Sequence, residues 1–229
     1  MPSSFCKGIQ LFFHRDLGTS PTLTEDPPSR QCNIMIIYMR KPCGSTDAAT
    51  IFVFFFDYTC YNCRHLHSLL TTLVNRDPHK WAILMIPIPA EALCNPHITC
   101  RKMEHTHACA YARLALSVWL NQSEKFAEFD RFLFQNDRPP RVWQALGEAN
   151  RLLGQMLNDP EIADSVLDLR LQRGIALFHS LGLERTPVLV LSNGLLQGHV
   201  PTQALLEEVI QKDARNLTFE PKPQLIRGK

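Results

Sequence analysis

The chain has 229 residues, 45% of them hydrophobic and 20% charged, with a net charge of +2. That is ordinary for one large globular domain or two small ones. The small charge and the lack of a dense Lys/Arg stripe argue against a nucleic-acid binder, and no run reaches the about 18 apolar residues of a transmembrane helix.

Residues 1–30, rich in Ser, Thr and Pro and ending in Pro27-Pro28-Ser29, read as a poorly ordered leader. Its apolar stretch, Ile9 to Phe13, is shorter than the roughly 7–15 residues of a signal-peptide core, and no small-residue cleavage site follows cleanly. The expectation from this end is a cytoplasmic protein or a true start upstream of Met1. Eight cysteines pull the other way, toward an oxidising compartment or a redox or metal role.

"CNIMIIYM", Cys32–Met39, has the β-branched character of a strand, followed by a turn-like "RKPCGSTDA". "IFVFFFD", Ile51–Asp57, is short, continuously apolar and bounded by polar residues, which fits a strand buried on both faces. Cys60-Tyr61-Asn62-Cys63 comes next. Beyond it Leu66, Leu69, Leu70 and Leu73 fall at the spacing of one buried helix face, and Asn75-Arg76-Asp77-Pro78 ends that helix. "KWAILMIPI", Lys80–Ile88, reads as a second central strand, which completes a βαβ unit.

A mostly helical stretch follows, with helices expected at about 103–121, 123–135, 140–157 and 160–181. In the last, Ile162, Val166 and Leu169 line one side, with Leu167, Leu171, Ile175 and Phe178 nearby. "PVLVLSNGLLQGHV" then shows two short strands joined at Asn193-Gly194, a strong hairpin signal. Pro201-Thr202 opens a final helix expected to bury Leu205, Leu206, Val209 and Ile210. Trp81, Trp119 and Trp143 are read as core or insertion packing. The order β, βαβ, helical block, β-hairpin, α is a thioredoxin-like arrangement with a helical insertion.

Two cysteines three apart can form half of a zinc site, a structural disulfide, an inert core pair or a redox centre. A zinc site normally needs a second Cys or His pair at suitable spacing, and His65 and His67 lie too close along the same helix to complete a tetrahedron easily. At the exit of a buried strand and the first turn of a helix, unpaired backbone N–H groups and the helix dipole stabilise a thiolate. Cys60 is therefore expected below the usual thiol pKa of about 8.5. Cys63, one turn further in, is expected to be more buried and able to attack a mixed disulfide at Cys60. The strand–CxxC–helix–strand context favours the redox reading. Thr186-Pro187 stands directly before the apolar strand Val188–Leu191; it reads either as an ordinary strand-initiating trans proline or, favoured by its position in a thioredoxin-like arrangement, as a cis proline facing the cysteine pair.

"FFFDYTCYNCRHL" together with "LGLERTPVLVLSNG" resembles the DsbA-like branch of the thioredoxin superfamily, over about residues 32–212. The resemblance implies an α/β, thioredoxin-like fold with a central mixed β-sheet and a DsbA-type helical insertion. It implies a thiol–disulfide oxidoreductase in which Cys60 is the nucleophile, Cys63 the resolving thiol, Pro187 a cis proline and Thr186 the residue whose backbone meets substrate. Tyr61 and Asn62 differ from the dipeptides of thioredoxins and of the best-known DsbA proteins. Those two positions tune the thiolate and contribute to substrate binding, so the direction of exchange is not readable. The family often carries a buried acid six residues before the first cysteine. Here that place holds Phe54, and Asp57 is either a substitute or a surface residue. For His65 and His67 a solvated helix face is favoured over stabilisation of the thiolate.

"CNPHITCRKMEHTHAC" gathers Cys94, His97, Cys100, His105, His107 and Cys109. Three readings stay open. One is a Cys94–Cys109 disulfide, as some DsbA-like domains have, including ones associated with vitamin K epoxide reductase-like membrane partners. Another is a zinc or copper site, and the third is exposed loop residues. The disulfide is favoured, with Cys100 left over; Cys32–Cys43 is a weaker pairing option. The expected organisation is a leader at 1–30, a thioredoxin-like domain at 31–213 with its insertion at about 99–181, and a tail at 214–229. No organic cofactor and no metal are expected. The expected partners are protein thiols and disulfides and a redox partner protein, a membrane-bound one among the options, with no nucleic acid. The family and the cysteine count favour an extracytoplasmic, periplasmic site. The alternative function is a zinc- or copper-binding module using Cys60, Cys63, Cys94, Cys100 and Cys109 without redox turnover.

Overall fold

A computed structural model describes residues 37–39, 50–77, 79–99 and 103–215. The leader, Cys6, Cys32, Cys43, Cys100 and the tail beyond 215 lie outside them.

Five strands form one mixed sheet in the order β1-β3-β2-β4-β5. They are β1 (Ile37–Met39), β2 (Thr50–Phe56), β3 (Trp81–Pro87), β4 (Val188–Val190) and β5 (Leu195–Gln197). β2 runs parallel to β3, with Phe54 opposite Met85, and antiparallel to β4, with Phe55 opposite Val188. β1 pairs antiparallel with β3, and β5 closes the hairpin with β4. α1 (Tyr61–Arg76) connects the parallel pair. Four helices then separate β3 from β4: α2 (Ala108–Asn121), α3 (Phe126–Phe134), α4 (Val142–Leu153) and α5 (Ser165–Ser180). α6 (Gln203–Arg215) ends the described chain. This is the expected α/β, thioredoxin-like fold with its helical insertion. Among the described residues no helix is long and apolar enough to cross a membrane.

The unbroken apolar run of β2 is explained by cover on both of its faces. Phe55 meets Phe178 of α5 edge-on, at 5.3 Å between ring centroids. Phe54 and Phe56 stack on each other on the opposite face, where Phe56 also packs on Tyr58 and on Phe134 of α3. α5 approaches the sheet closely at Gly174, where a Cβ would stand 3.0 Å from Ile86 Cγ2. α1 buries Leu66, Leu70, Leu73 and Val74, with Leu69 at the margin. At its C-terminus the N–H of Asp77 caps onto the Leu73 carbonyl. Inside the insertion the buried Arg113 of α2 forks onto Asp168 of α5 and also donates to the Pro160 carbonyl.

Three packing expectations are corrected. α5 starts at Ser165, because Asp164 caps it by accepting from the backbone N–H groups of Val166 and Leu167. Its buried face is Leu171, Gly174, Ile175 and Phe178, while Ile162, Val166 and Leu169 are exposed. In α6 Leu206 and Ile210 are buried and Leu205 is exposed. Trp81 stacks on Phe52 and Trp119 packs edge-on against Phe126, but Trp143 is 66% exposed, on the outer side of α4.

Candidate active site

Cys60 is the N-cap of α1, with extended backbone at φ −74° and ψ 120°. Its Sγ accepts from the backbone N–H of Cys63 at 3.2 Å, taking the place an N-cap oxygen usually fills. Cys63 sits one turn in, fully buried, with its Sγ 3.5 Å from the backbone N of Asp57, which donates to it. Cys60 is partly open to solvent, and both thiols are free. The two titrate in opposite directions. The Cys60 thiol is held below its ordinary value, first by the hydrogen bond from the Cys63 side chain and then by the backbone N–H groups of Cys63 and Asn62. Burial pushes Cys63 well up, and its bond to Cys60 and the Cys60 charge push it further. An accessible thiol with a lowered pKa, one helical turn from a buried thiol with a raised one, is equipped for thiol–disulfide exchange.

Asp57 is the carboxylate nearest this pair in the chain, and it is buried, not a surface residue. One oxygen accepts from the N–H and the hydroxyl of Thr59, both at 2.7 Å, and the other accepts from the N–H of Ala90 at 2.7 Å. Burial raises its pKa, and these three bonds offset part of the rise. Its charge acts on both thiols and raises both. The sign for stability follows. A carboxyl raised on folding binds a proton that the unfolded chain has already released, so its contribution falls as pH rises from its ordinary 3.8 through the folded value. The natural chain should therefore lose stability relative to Asp57→Asn between about pH 4 and about pH 7. Urea midpoints of both chains at the two pH values check this, and a difference that stays flat with pH would contradict it.

The remaining predicted residues lie around the pair. Tyr61 is 67% exposed and Asn62 half-buried. The Thr186–Pro187 peptide bond is cis. Because Val188 pairs with Phe55, Pro187 stands at the level where β2 leaves the sheet toward Cys60, and its carbonyl accepts from Gly198. Neither histidine of α1 lies on a solvated face. His65 is half-buried and stacked on His199, with ring centroids 5.3 Å apart. His67 is buried, 2.8 Å from an Asp130 oxygen, and stacks on Phe134.

Two features of the site pair residues in ways the sequence does not indicate. The first is a buried network that fastens α1 to α3. Asp130 meets His67 and the Tyr58 hydroxyl, and Arg64 donates to the carbonyls of Tyr58, Leu133 and Asn136. The second is His105, whose Nδ1 lies 2.9 Å from Thr59 Oγ1 and 3.5 Å from Asp57 Oδ2. Apart from the Arg64–Tyr58 bond, both join residues 46 to 72 positions apart, and no local pattern announces them.

Cys94 and Cys109 form a disulfide that closes a 15-residue separation, and the chain-entropy model assigns such a loop roughly 3 kcal/mol. Glu91 accepts from the N–H groups of His107 and Cys109, fixing the same loop. His97 stacks on His179 and His107 pairs with Glu161. Two thiols shared in a disulfide are not free thiolate ligands, so a metal module loses two of its expected donors. Among the described residues no group of three or more His, Cys, Asp or Glu is arranged to hold a metal ion.

No protein-family model and no curated protein sequence matches the chain. Solved structures do match its fold. The catalytic domain of Proteus mirabilis ScsC is similar at 21% identity and a TM-score of 0.60, over 79% of this chain and 89% of that one. A periplasmic thioredoxin-like protein from Salmonella enterica serovar Typhimurium matches at 20% identity and a TM-score of 0.60, over 79% and 90%. The thiol-disulfide exchange protein α-DsbA2 from Wolbachia pipientis matches at 19% identity and a TM-score of 0.57, over 79% and 88%. The fold is the DsbA-like form of the thioredoxin fold.

Proposed function

We propose that this chain is a thiol–disulfide oxidoreductase that exchanges disulfides with protein thiols through Cys60 and Cys63. The observation that carries the reading is the capped pair: Cys60 Sγ at the N-terminus of α1, held by the Cys63 N–H at 3.2 Å, with Cys63 buried behind it. Cys60 as thiolate attacks a substrate disulfide; one substrate sulfur leaves as thiolate and the other stays on Cys60. Cys63 then loses its proton and attacks Cys60 Sγ. That closes the Cys60–Cys63 bond and releases the second substrate thiolate, so two electrons pass from the protein dithiol to the substrate disulfide. Run backwards, the same steps oxidise a substrate dithiol. Asp57, the buried carboxylate whose charge acts on both sulfurs, is the base that accepts the Cys63 proton, in the role the family gives to an acid where this chain has Phe54. Tyr61, Asn62, Thr186 and Pro187 line the surface on which an extended substrate would meet Cys60.

An extracytoplasmic, periplasmic placement is part of the proposal. The Cys94–Cys109 disulfide supports it, since such bonds persist in oxidising compartments, and one of the similar structures is a periplasmic protein. The partners are then protein thiols and disulfides, with a redox protein to reset the pair.

The test is alkylation of the purified chain across a series of glutathione redox buffers, read peptide by peptide. Cys60 and Cys63 should pass together between alkylated and protected forms at one midpoint, and Cys60 should react with alkylating agent at a pH where ordinary thiols do not. A Cys60 that neither oxidises reversibly nor reacts early would end the reading.

A further inference from the structure

A buried acid that takes up a proton must also discharge it. Asp57 is 1% exposed, and its oxygens are enclosed by Thr59, Ala90 and His105. His105 occupies a short turn, Met103–His105, within the loop that the Cys94–Cys109 disulfide and Glu91 hold down. Its Nδ1 meets Thr59 Oγ1 at 2.9 Å and Asp57 Oδ2 at 3.5 Å. Its Nε2 points the other way, 3.5 Å from Glu104, whose side chain is 70% exposed. The ring itself is 17% exposed. It therefore bridges the enclosed carboxylate and the solvent.

We propose that His105 is the proton relay of the site, carrying to solvent the proton that Asp57 takes from Cys63 and returning it in the reverse reaction. This rests on the thiol–disulfide reading above. In the resolving step the Cys63 S–H proton goes to an Asp57 oxygen as Cys63 Sγ bonds to Cys60 Sγ and the Cys60–substrate S–S bond breaks. The bonding pair leaves with the substrate sulfur. The proton then passes from Asp57 through the Thr59 hydroxyl to Nδ1 of His105, and a proton leaves Nε2 to water or Glu104. No further oxidant or reductant enters. An imidazole suits this task because it both gives and takes a proton near neutral pH. The titratable groups facing His105 are Asp57 at the end of β2 and Glu104 in its own turn, and behind Asp57 stand Cys60 and Cys63 of α1. The other histidines of this region are engaged elsewhere: His65 with His199, His67 with Asp130, His97 with His179 and His107 with Glu161. His105 does not touch the reacting sulfurs and acts through Asp57. The disulfide loop acquires a role in the chemistry, because it brings the relay to the acid.

The experiment mixes the reduced full-length chain with oxidised glutathione, quenches with acid at intervals and follows two species by peptide mass spectrometry. These are the Cys60–glutathione adduct and the Cys60–Cys63 disulfide. Near neutral pH, His105→Gln should lengthen the lifetime of the adduct roughly tenfold, a modest share of what general acid–base catalysis supplies. The rate at which the adduct forms should change less than about twofold, since Cys60 attack does not use the relay. The pH profile of the resolving rate should change as well. Gln can keep a hydrogen bond to Thr59 yet cannot carry a proton, so a purely structural role would survive this change. Thr59→Val, which removes the bridging hydroxyl, should lengthen the lifetime too, and it decides the matter if His105→Gln folds poorly. Asp57→Asn combined with His105→Gln should be no slower than Asp57→Asn alone. The exposed His79, changed to Gln, serves as control and should behave as the natural chain. A His105→Gln lifetime and pH profile equal to the natural chain's would overturn the relay and leave the oxidoreductase reading standing, as would effects that multiply in the double variant. A natural chain that forms no Cys60 adduct would overturn both.

Discussion

Asp130→Ala is expected to cost about 2–6 kcal/mol of fold stability, because two buried partners lose their acceptor at about 1–3 kcal/mol each. Asp130 is buried on α3 and satisfies two buried partners, His67 Nε2 at 2.8 Å and the Tyr58 hydroxyl at 3.2 Å. Truncation leaves both without that partner and opens a void beside the His67–Phe134 stack. Asp130→Asn keeps the shape and one acceptor, and it should lose less. Denaturant midpoints of the three chains measure the order. A loss for Asp130→Ala below about 1 kcal/mol, the level of a solvent-screened pair, would mean that the network does not hold α1 to the insertion. Tyr58 and His67 flank the cysteine pair in the chain, so the same variant should also shift the redox midpoint of Cys60 and Cys63 as α1 loosens.

Cys60→Ser is expected to bring disulfide exchange down to the uncatalysed background, whereas Cys63→Ser should keep the first chemical step and lose the second. The asymmetry follows from exposure and titration. Cys60 is the accessible sulfur with the depressed pKa, and a serine hydroxyl at that N-cap is not a nucleophile at neutral pH. Cys63 is buried with its thiol kept protonated, so its removal leaves attack by Cys60 intact but no internal sulfur to resolve the adduct. The Cys63→Ser chain should therefore accumulate stoichiometric mixed disulfides on Cys60, with glutathione in a simple buffer and with protein substrates in an extract of the native compartment. Turnover by Cys60→Ser at the natural rate would remove Cys60 as the nucleophile. A Cys63→Ser chain that collects no adduct would remove Cys63 as the resolving thiol.

Much of this architecture was legible because it rests on local periodicity. The apolar run Phe52–Phe56 and the helix face of Leu66, Leu70 and Leu73 are written as spacing, and so is the Asn193-Gly194 hairpin turn, because each element meets its neighbours with a period set by its own backbone. The cysteine pair was legible for the same reason: its place between a buried strand and a helix start is a statement about adjacent residues. α5 shows the limit of periodicity. Ile162, Val166 and Leu169 have helical spacing, yet the Asp164 cap starts the helix after Ile162, and packing against the sheet selects the Leu171–Ile175–Phe178 face instead. Trp143 fails likewise, since an aromatic ring carries no label for the side of a helix that will be covered.

The sequence by itself determined the elements of the candidate site: a strand ending at Asp57, a Cys-Tyr-Asn-Cys cap, an amphipathic helix and a proline opening the strand that pairs alongside. Only the tertiary structure decided their chemistry. Asp57 became a buried acid because Thr59, Ala90 and His105 close over it, and His67 became a buried anchor because α3 folds back to bring Asp130 beside it. Burial and charge pairing across 46 to 72 residues depend on how the insertion closes over the sheet, a long-range outcome that no local spacing encodes.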